Sequence, residues 1–292
     1  MPQRNGELDT LVKSSEPWSS PPLEVTGGPV DCGCTSQSGM ANLAEHPPLH
    51  GTSGFADGER YRLARPDYPR DAVTFLVDSL GIEEDLHVLD LGAGTGIFTG
   101  QLVQFCANIT AVEPTPGMRK VLSERLPTVK VLDGRDVAIP LHDATVDCVV
   151  VAQAFHWFDA PVALEEIHRV LVDGGRLGVL WNERDESIPW VAELGEAMRW
   201  PTHQPYDVGQ DFTPILSSGP FVNIVRKKFN HLQLLDHEGL FQRVLTTSYI
   251  AVMDDDEQRT LMRDVKRVVD PLPERIELPY VTDVYRATAM LR

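Results

Sequence analysis

The chain has 292 residues, 42% hydrophobic and 24% charged, enough for one large domain with a proper core or at most two small ones. Its 43 acidic against 26 basic residues leave a formal charge of -17, which repels a polyphosphate backbone and counts against a nucleic-acid substrate. No apolar run approaches the roughly 18 residues that cross a bilayer, and the N-terminus lacks the basic patch and apolar stretch of a secretory signal, so a cytoplasmic protein without membrane partners is expected.

In chain order, residues 1–50 hold 18 Pro, Gly or Ser and almost no periodic apolar pattern, and are expected to be a disordered leader, with Met40 an alternative start. Cys32 and Cys34 in this stretch and Cys106 and Cys148 beyond it form no readable disulfide or zinc framework. Pro47 and Pro48 preclude a helix that would bring His46 and His50 together, so no metal site is expected.

From residue 51 to 292 a single domain is expected, because short apolar runs alternate with helical patterns, the signature of βαβ units. Pro69–Leu80 reads as a helix with proline at its start and Ala72, Val73, Leu76 and Leu80 on one face. The first strand, His87–Leu91, leads to a helix over Gly96–Phe105. The second, Ile109–Val112, leads to a helix opened by Pro116, and the third, Val129–Leu132, to a loop. Val146–Ala152 is apolar and mostly β-branched apart from Asp147, as a strand buried on both faces should be. Val162–Val172 is an amphipathic helix, and Leu177–Trp181 makes a fifth strand after an Asp173-Gly174-Gly175 turn. In the less regular C-terminal third, Phe221–Phe229 and Tyr280–Ala287 read as strands suited to the antiparallel edge of the same sheet. Helices are expected over Glu238–Val244 and Asp256–Val269, the acidic run Asp254–Glu257 supplying favourable charge where the latter begins. The fold class expected is α/β: a Rossmann-like, doubly wound, mostly parallel sheet with an antiparallel edge strand.

The segment Val88-Leu-Asp-Leu-Gly-Ala-Gly-Thr-Gly96 runs from the first strand into a helix and so places a glycine-rich turn at the carboxyl edge of a parallel sheet, where such sheets bind ligands. A dinucleotide fingerprint needs Gly-x-Gly-x-x-Gly, and counting from Gly92 puts Ile97 where its third glycine belongs. The pattern here is Gly-x-Gly-x-Gly, with Asp90 two residues before it. The second strand ends in Glu113-Pro114, and a carboxylate there is placed to accept both hydroxyls of a ribose.

These residues resemble the first motif of the class I S-adenosylmethionine (SAM)-dependent methyltransferases, of methyltransferase type 11. The resemblance implies that Asp90 helps fix the ammonium of the cofactor's methionine moiety, that backbone at Gly92, Ala93, Gly94 and Gly96 approaches it, and that Glu113 and Pro114 border the ribose. Met118 then either packs on the adenine or belongs to ordinary helix packing. Asp133-Gly134-Arg135-Asp136-Val137-Ala138 is similar to the adenine-flanking loop of these enzymes, with a departure: Arg135 stands where many members carry an acid, and Asp136 one step on. Asp136 and Val137 are the adenine-side candidates.

Ala152 and the run Gln153-Ala-Phe-His156-Trp157-Phe158 resemble the Ala-x-x-x-His-Trp-Phe stretch of a small-molecule subgroup that includes trans-aconitate methyltransferase-like proteins. Gln153 joins the cofactor set. His156 is the candidate general base, or a histidine that hydrogen-bonds locally or lines the cofactor pocket, while Trp157 and Phe158 wall the pocket. Asn182 and Arg184, after the fifth strand, are the substrate-side candidates: a hydroxyl or carbonyl for Asn182, and a carboxylate clamp or pairing with neighbouring acids for Arg184. Tyr61 to Pro69 is similar to the family's lid segment, in which Tyr61 or Arg65 reaches the cofactor carboxylate. Together these imply a SAM-dependent methyltransferase acting on a small molecule, a carboxylate-bearing metabolite among the candidates. A nicotinamide-dependent oxidoreductase and a SAM-binding protein without catalysis stay open as alternatives.

Overall fold

The computed structural model of the chain describes residues 58–198 and 211–292; the expected leader over 1–50, Met40, Cys32, Cys34, His46 and His50 lie outside them. A seven-stranded sheet carries the fold, with β1 His87–Leu91, β2 Asn108–Val112, β3 Lys130–Leu132, β4 Val146–Ala152, β5 Leu171–Arg184, β6 Phe221–Leu235 and β7 Ile276–Ala289 in the order β3-β2-β1-β4-β5-β7-β6. The first five pair in parallel, and β7 runs antiparallel to both β5 and β6, making the antiparallel edge.

Alternation along the strands sorts the core. Leu89, Leu91, Val149 and Val151 face one way, onto α5 (Ala160–Val170), while Val88, Cys148 and Val150 face the other, towards α2 (Arg70–Leu80) and Leu102 of α3 (Ile97–Leu102). A third cluster forms around Leu278 and Tyr280 at the start of β7, where α6 (Pro189–Ala197), α8 (His237–Leu245) and α10 (Asp255–Val269) supply Leu194, Leu240 and Val265. Because β7 is antiparallel, its start lies at the carboxyl edge of β1 to β5, and so this helical cap stands beside the glycine turn.

The helices begin where their sequences favour it. Pro116 opens α4 (Pro116–Arg125), and Asp254 and Glu257 form a reciprocal capping box on α10, each side chain bonding the other's backbone N–H. The expected turn at Asp173–Gly175 is instead an irregularity inside β5: Leu171 already pairs with Val146, the register shifts, and Arg176 pairs with Cys148. Both C-terminal strands are longer than their apolar patterns, and α1 (Gly58–Ala64), α6, α7 (Thr213–Ser218) and α9 (Ser248–Ala251) lie in segments that carried no helix expectation. Among the described residues no helix is long and apolar enough to cross a membrane.

Candidate active site

The carboxyl ends of β1, β2, β3 and β4 open onto one cavity, covered by the segment around α1 and by α8. The glycine turn is tied across to β2, since the N–H groups of Gly92 and Ala93 both donate to the Val112 carbonyl at 2.8 and 3.1 Å. Gly92 holds φ +74°, and a Cβ there would stand 2.6 Å from that of Ala154, so both backbone and space require glycine. Gly94 holds φ +58° for the opposite reason: a Cβ on it would meet nothing within 4 Å and would project into space beside the cavity-lining backbone. Arg125 of α4 donates to the Thr95 carbonyl at 2.7 Å and pins the turn from outside.

Glu113 is buried on the cavity wall with its two oxygens taken up by backbone, Gly94 N–H donating to Oε2 at 3.0 Å and Thr115 N–H to Oε1 at 2.8 Å. Each carboxylate oxygen keeps a further acceptor site, so the group is oriented without being exhausted. Arg119, which sequence reasoning passed over, donates to the Glu113 carbonyl at 2.7 Å and grips Asp133 with two nitrogens, locking the tips of β2 and β3 together. Pro114 and Met118 also line the cavity.

Asp90 is fully buried and is not among the cavity-lining residues; it lies below the turn, where Thr99 donates its hydroxyl to Oδ2 at 2.6 Å. Its Oδ1 is sealed from water and has no hydrogen-bond partner among the described residues. Burial raises its pKa to about 7, with the Thr99 bond lowering it and the Glu113 charge adding to the rise. Gly96 and Val137 are likewise absent from the wall, whereas Asp136 is on it. Asp136 Oδ2 accepts the Asp159 N–H at 2.9 Å, so this carboxylate also anchors the start of α5, and burial raises its pKa. The neighbouring Arg135 reaches the wall too.

Gln153 lines the cavity at a positive φ of 58°, and its amide clamps the tip of β5: Oε1 accepts the Asn182 N–H at 2.7 Å and Nε2 donates to the Asn182 carbonyl at 3.1 Å. Asn182 is on the wall with its amide engaged, accepting the Thr282 hydroxyl at 2.6 Å and donating to the Asp67 carbonyl at 3.4 Å, which fastens the lid segment.

Two substrate-side candidates lie away from the cavity lining. His156 is not among the cavity-lining residues. Its ring packs against Trp157 and Trp181 with centroids 4.6 and 4.7 Å away, and burial, with the positive charge of Arg65 second, lowers its pKa to about 3. An imidazole that resists protonation this strongly is a poor proton acceptor. Arg184 is absent from the wall as well: its side chain is buried, donates to the Met198 sulfur at 2.8 Å and lies 3.8 Å from Glu186. The arginines on the wall are Arg65 and Arg135, with Arg243 of α8, a residue no motif marked. Trp157 and Phe158 wall the cavity as expected.

Among the described residues no group of three or more His, Cys, Asp or Glu is placed to hold a metal. The residues present fit SAM: an open-sided glycine turn, an oriented acid at the end of β2, and a buried carboxylate oxygen below the turn that lacks a partner. With the doubly wound sheet, they define a class I SAM-dependent methyltransferase domain.

A family model described as a methyltransferase domain matches residues 89–179. An uncharacterized methyltransferase of Mycobacterium tuberculosis is 36% identical over 237 residues, covering 78% of this chain and 92% of that protein. An uncharacterized methyltransferase-like protein of Schizosaccharomyces pombe is 32% identical over 229 residues, covering 76% and 90%. The crystal structure of the YcgJ protein of Bacillus subtilis shares the fold, with a TM-score of 0.54 at 16% identity over 77% of this chain and all of that one. The chain belongs to the methyltransferase family, and S-adenosylmethionine is its methyl donor.

Proposed function

We propose that the protein transfers a methyl group to a small molecule held between the glycine turn and the helical cap, and that this acceptor carries a carboxylate. The observation that carries the small-molecule reading is the cavity itself, which lies beneath the lid segment and is walled by Tyr61, Tyr68, Trp157 and Phe158. Glu113 holds the ribose hydroxyls. Gly92, Ala93 and Gly94 offer backbone to the methionine moiety, and Asp90 acts on its ammonium from below the turn through its charge. Pro114 borders the ribose beside Glu113, and Met118 and Asp136 border the adenine.

When bound, the cofactor supplies a methyl group already activated as a sulfonium, so this chain's side chains have to align the acceptor and exclude water. A neutral His156 behind Trp157 fits a reaction that draws no proton to that side chain. The test is incubation of the full chain with methyl-labelled SAM and a metabolite extract. Label appearing in a low-molecular-weight product supports the reading. Tight binding of the demethylated product S-adenosylhomocysteine with no transfer to any extract component favours a SAM-binding protein without catalysis.

A further inference from the structure

The covered end of the cavity gathers positive charge. Arg65, which follows α1, and Arg243 on α8 line it, and Arg184 at the end of β5 lies behind them. Burial, then the charge of Arg243, lowers the pKa of Arg65 to about 10 and that of Arg184 in the same direction. Arg184 has Glu186 3.8 Å away, and Glu186 is off the cavity wall.

A chain of hydrogen bonds holds Arg65 and Arg243 in place. Gln233 Nε2 donates to the carbonyl of Ala64, the residue before Arg65, at 3.0 Å, and Gln233 Oε1 accepts the Tyr280 hydroxyl at 3.3 Å. That hydroxyl accepts from Arg243 Nε at 3.0 Å. Arg65 spends one nitrogen on the Thr246 carbonyl at 2.8 Å and stacks over the Tyr61 ring at 4.5 Å. What remains is Arg65 Nε and Arg243 Nη1, both sealed from water and without a hydrogen-bond partner among the described residues, on side chains that line the cavity. Buried donors of like charge that lack partners cost the fold stability until an anion meets them.

We propose that Arg243 and Arg65 form a binding site for the carboxylate of the methyl acceptor. This rests on the methyltransferase reading of the same cavity and assigns its acceptor end. The strand order supports the acceptor as the source: Glu113 follows β2, whereas Arg243 is tied to Tyr280 on β7, four strand spacings or roughly 19 Å further along the sheet. The cofactor's own methionine carboxylate has the same chemistry and is the other source to be told apart.

The test uses the full chain, free and loaded with S-adenosylhomocysteine, titrated calorimetrically with succinate or inorganic phosphate against chloride at equal ionic strength. Saturable succinate binding in the loaded protein is expected, weakened at least tenfold by Arg243→Met and less by Arg243→Lys, with S-adenosylhomocysteine affinity changed less than threefold. The unliganded Arg243→Met protein is expected to melt no lower than the native one, since a repelling charge is removed, which checks that it folds. Two results would overturn the proposal: succinate and phosphate binding no better than chloride, or Arg243→Met weakening S-adenosylhomocysteine tenfold while leaving 5′-methylthioadenosine, which lacks the amino-acid part, unaffected. The second result assigns Arg243 to the cofactor. Failure of S-adenosylhomocysteine to bind the native protein counts against the methyltransferase reading, whereas Arg243-dependent succinate binding to the free protein would still support the anion site.

Discussion

Replacing Asp90 by asparagine removes a titratable group from the floor of the glycine turn while keeping its size and an acceptor for Thr99. The carboxyl is fully buried, and burial above all raises its pKa to about 7, whereas an aspartate in the unfolded chain titrates near 3.9. Between those values the folded state keeps a proton that the unfolded state has lost. The stability contributed is therefore fully present below pH 4 and is lost as pH rises through 7. From pH 5 to pH 8 the loss is about 2.5 kcal/mol, or roughly 5–10 °C in Tm for a domain of this size. Asp90→Asn carries no such dependence. Thermal melts of both proteins at fixed ionic strength should therefore show the variant gaining on the native protein by that amount across this range. Bound S-adenosylhomocysteine should narrow the gap, because its ammonium favours the ionised aspartate. Native and variant melting curves that stay parallel within about 2 °C from pH 5 to 8 would refute the reasoning.

Four further predictions concern the cavity and the residues behind its wall. Gly92→Ala should destabilise the protein by about 2–4 kcal/mol in urea unfolding, because φ is +74° and the new Cβ would stand 2.6 Å from Ala154. Gly94→Ala, at φ +58° with open space around its Cβ, should cost only about 1 kcal/mol yet weaken S-adenosylhomocysteine at least tenfold by calorimetry. Glu113→Gln should weaken the same ligand by about 10- to 100-fold, the loss of charge-assisted bonds to two hydroxyls, and unchanged affinity would remove Glu113 from the ribose. Once a labelled product is found, His156→Phe should keep turnover within about tenfold of native; a drop of about 10²–10⁴ would restore the histidine as general base.

Much of the sheet was legible in the residues. His87–Leu91 and Val146–Ala152 emerge with the bounds read for them, because central parallel strands buried on both faces carry mostly apolar runs that can be read from the chain. β6 reaches Leu235 rather than Phe229: Asn230, His231 and Gln233 interrupt the apolar signal beyond Phe229, although β7 pairs with the strand as far as Leu235. The Gly174-Gly175 pair looked like a turn because local sequence does not register that β4 pairs on either side of it.

The glycine turn, the acid two residues before it and the acid at the end of the second strand are local facts, and the sequence by itself determined from them, through their resemblance to a family motif, which cofactor to expect. A tight turn and a strand-end carboxylate depend on neighbours within a few residues, whose chemistry is written in the chain. Which side chains face the acceptor was decided only by tertiary structure. His156 and Arg184 sit in recognisable motifs, but Trp181 from another strand covers the histidine and Met198 receives the arginine. Arg243, on a helix that was expected but within which no motif marked it, is brought to the wall by Tyr280, 37 positions away in sequence. Burial and partnership across such distances set whether a charge meets ligand or core.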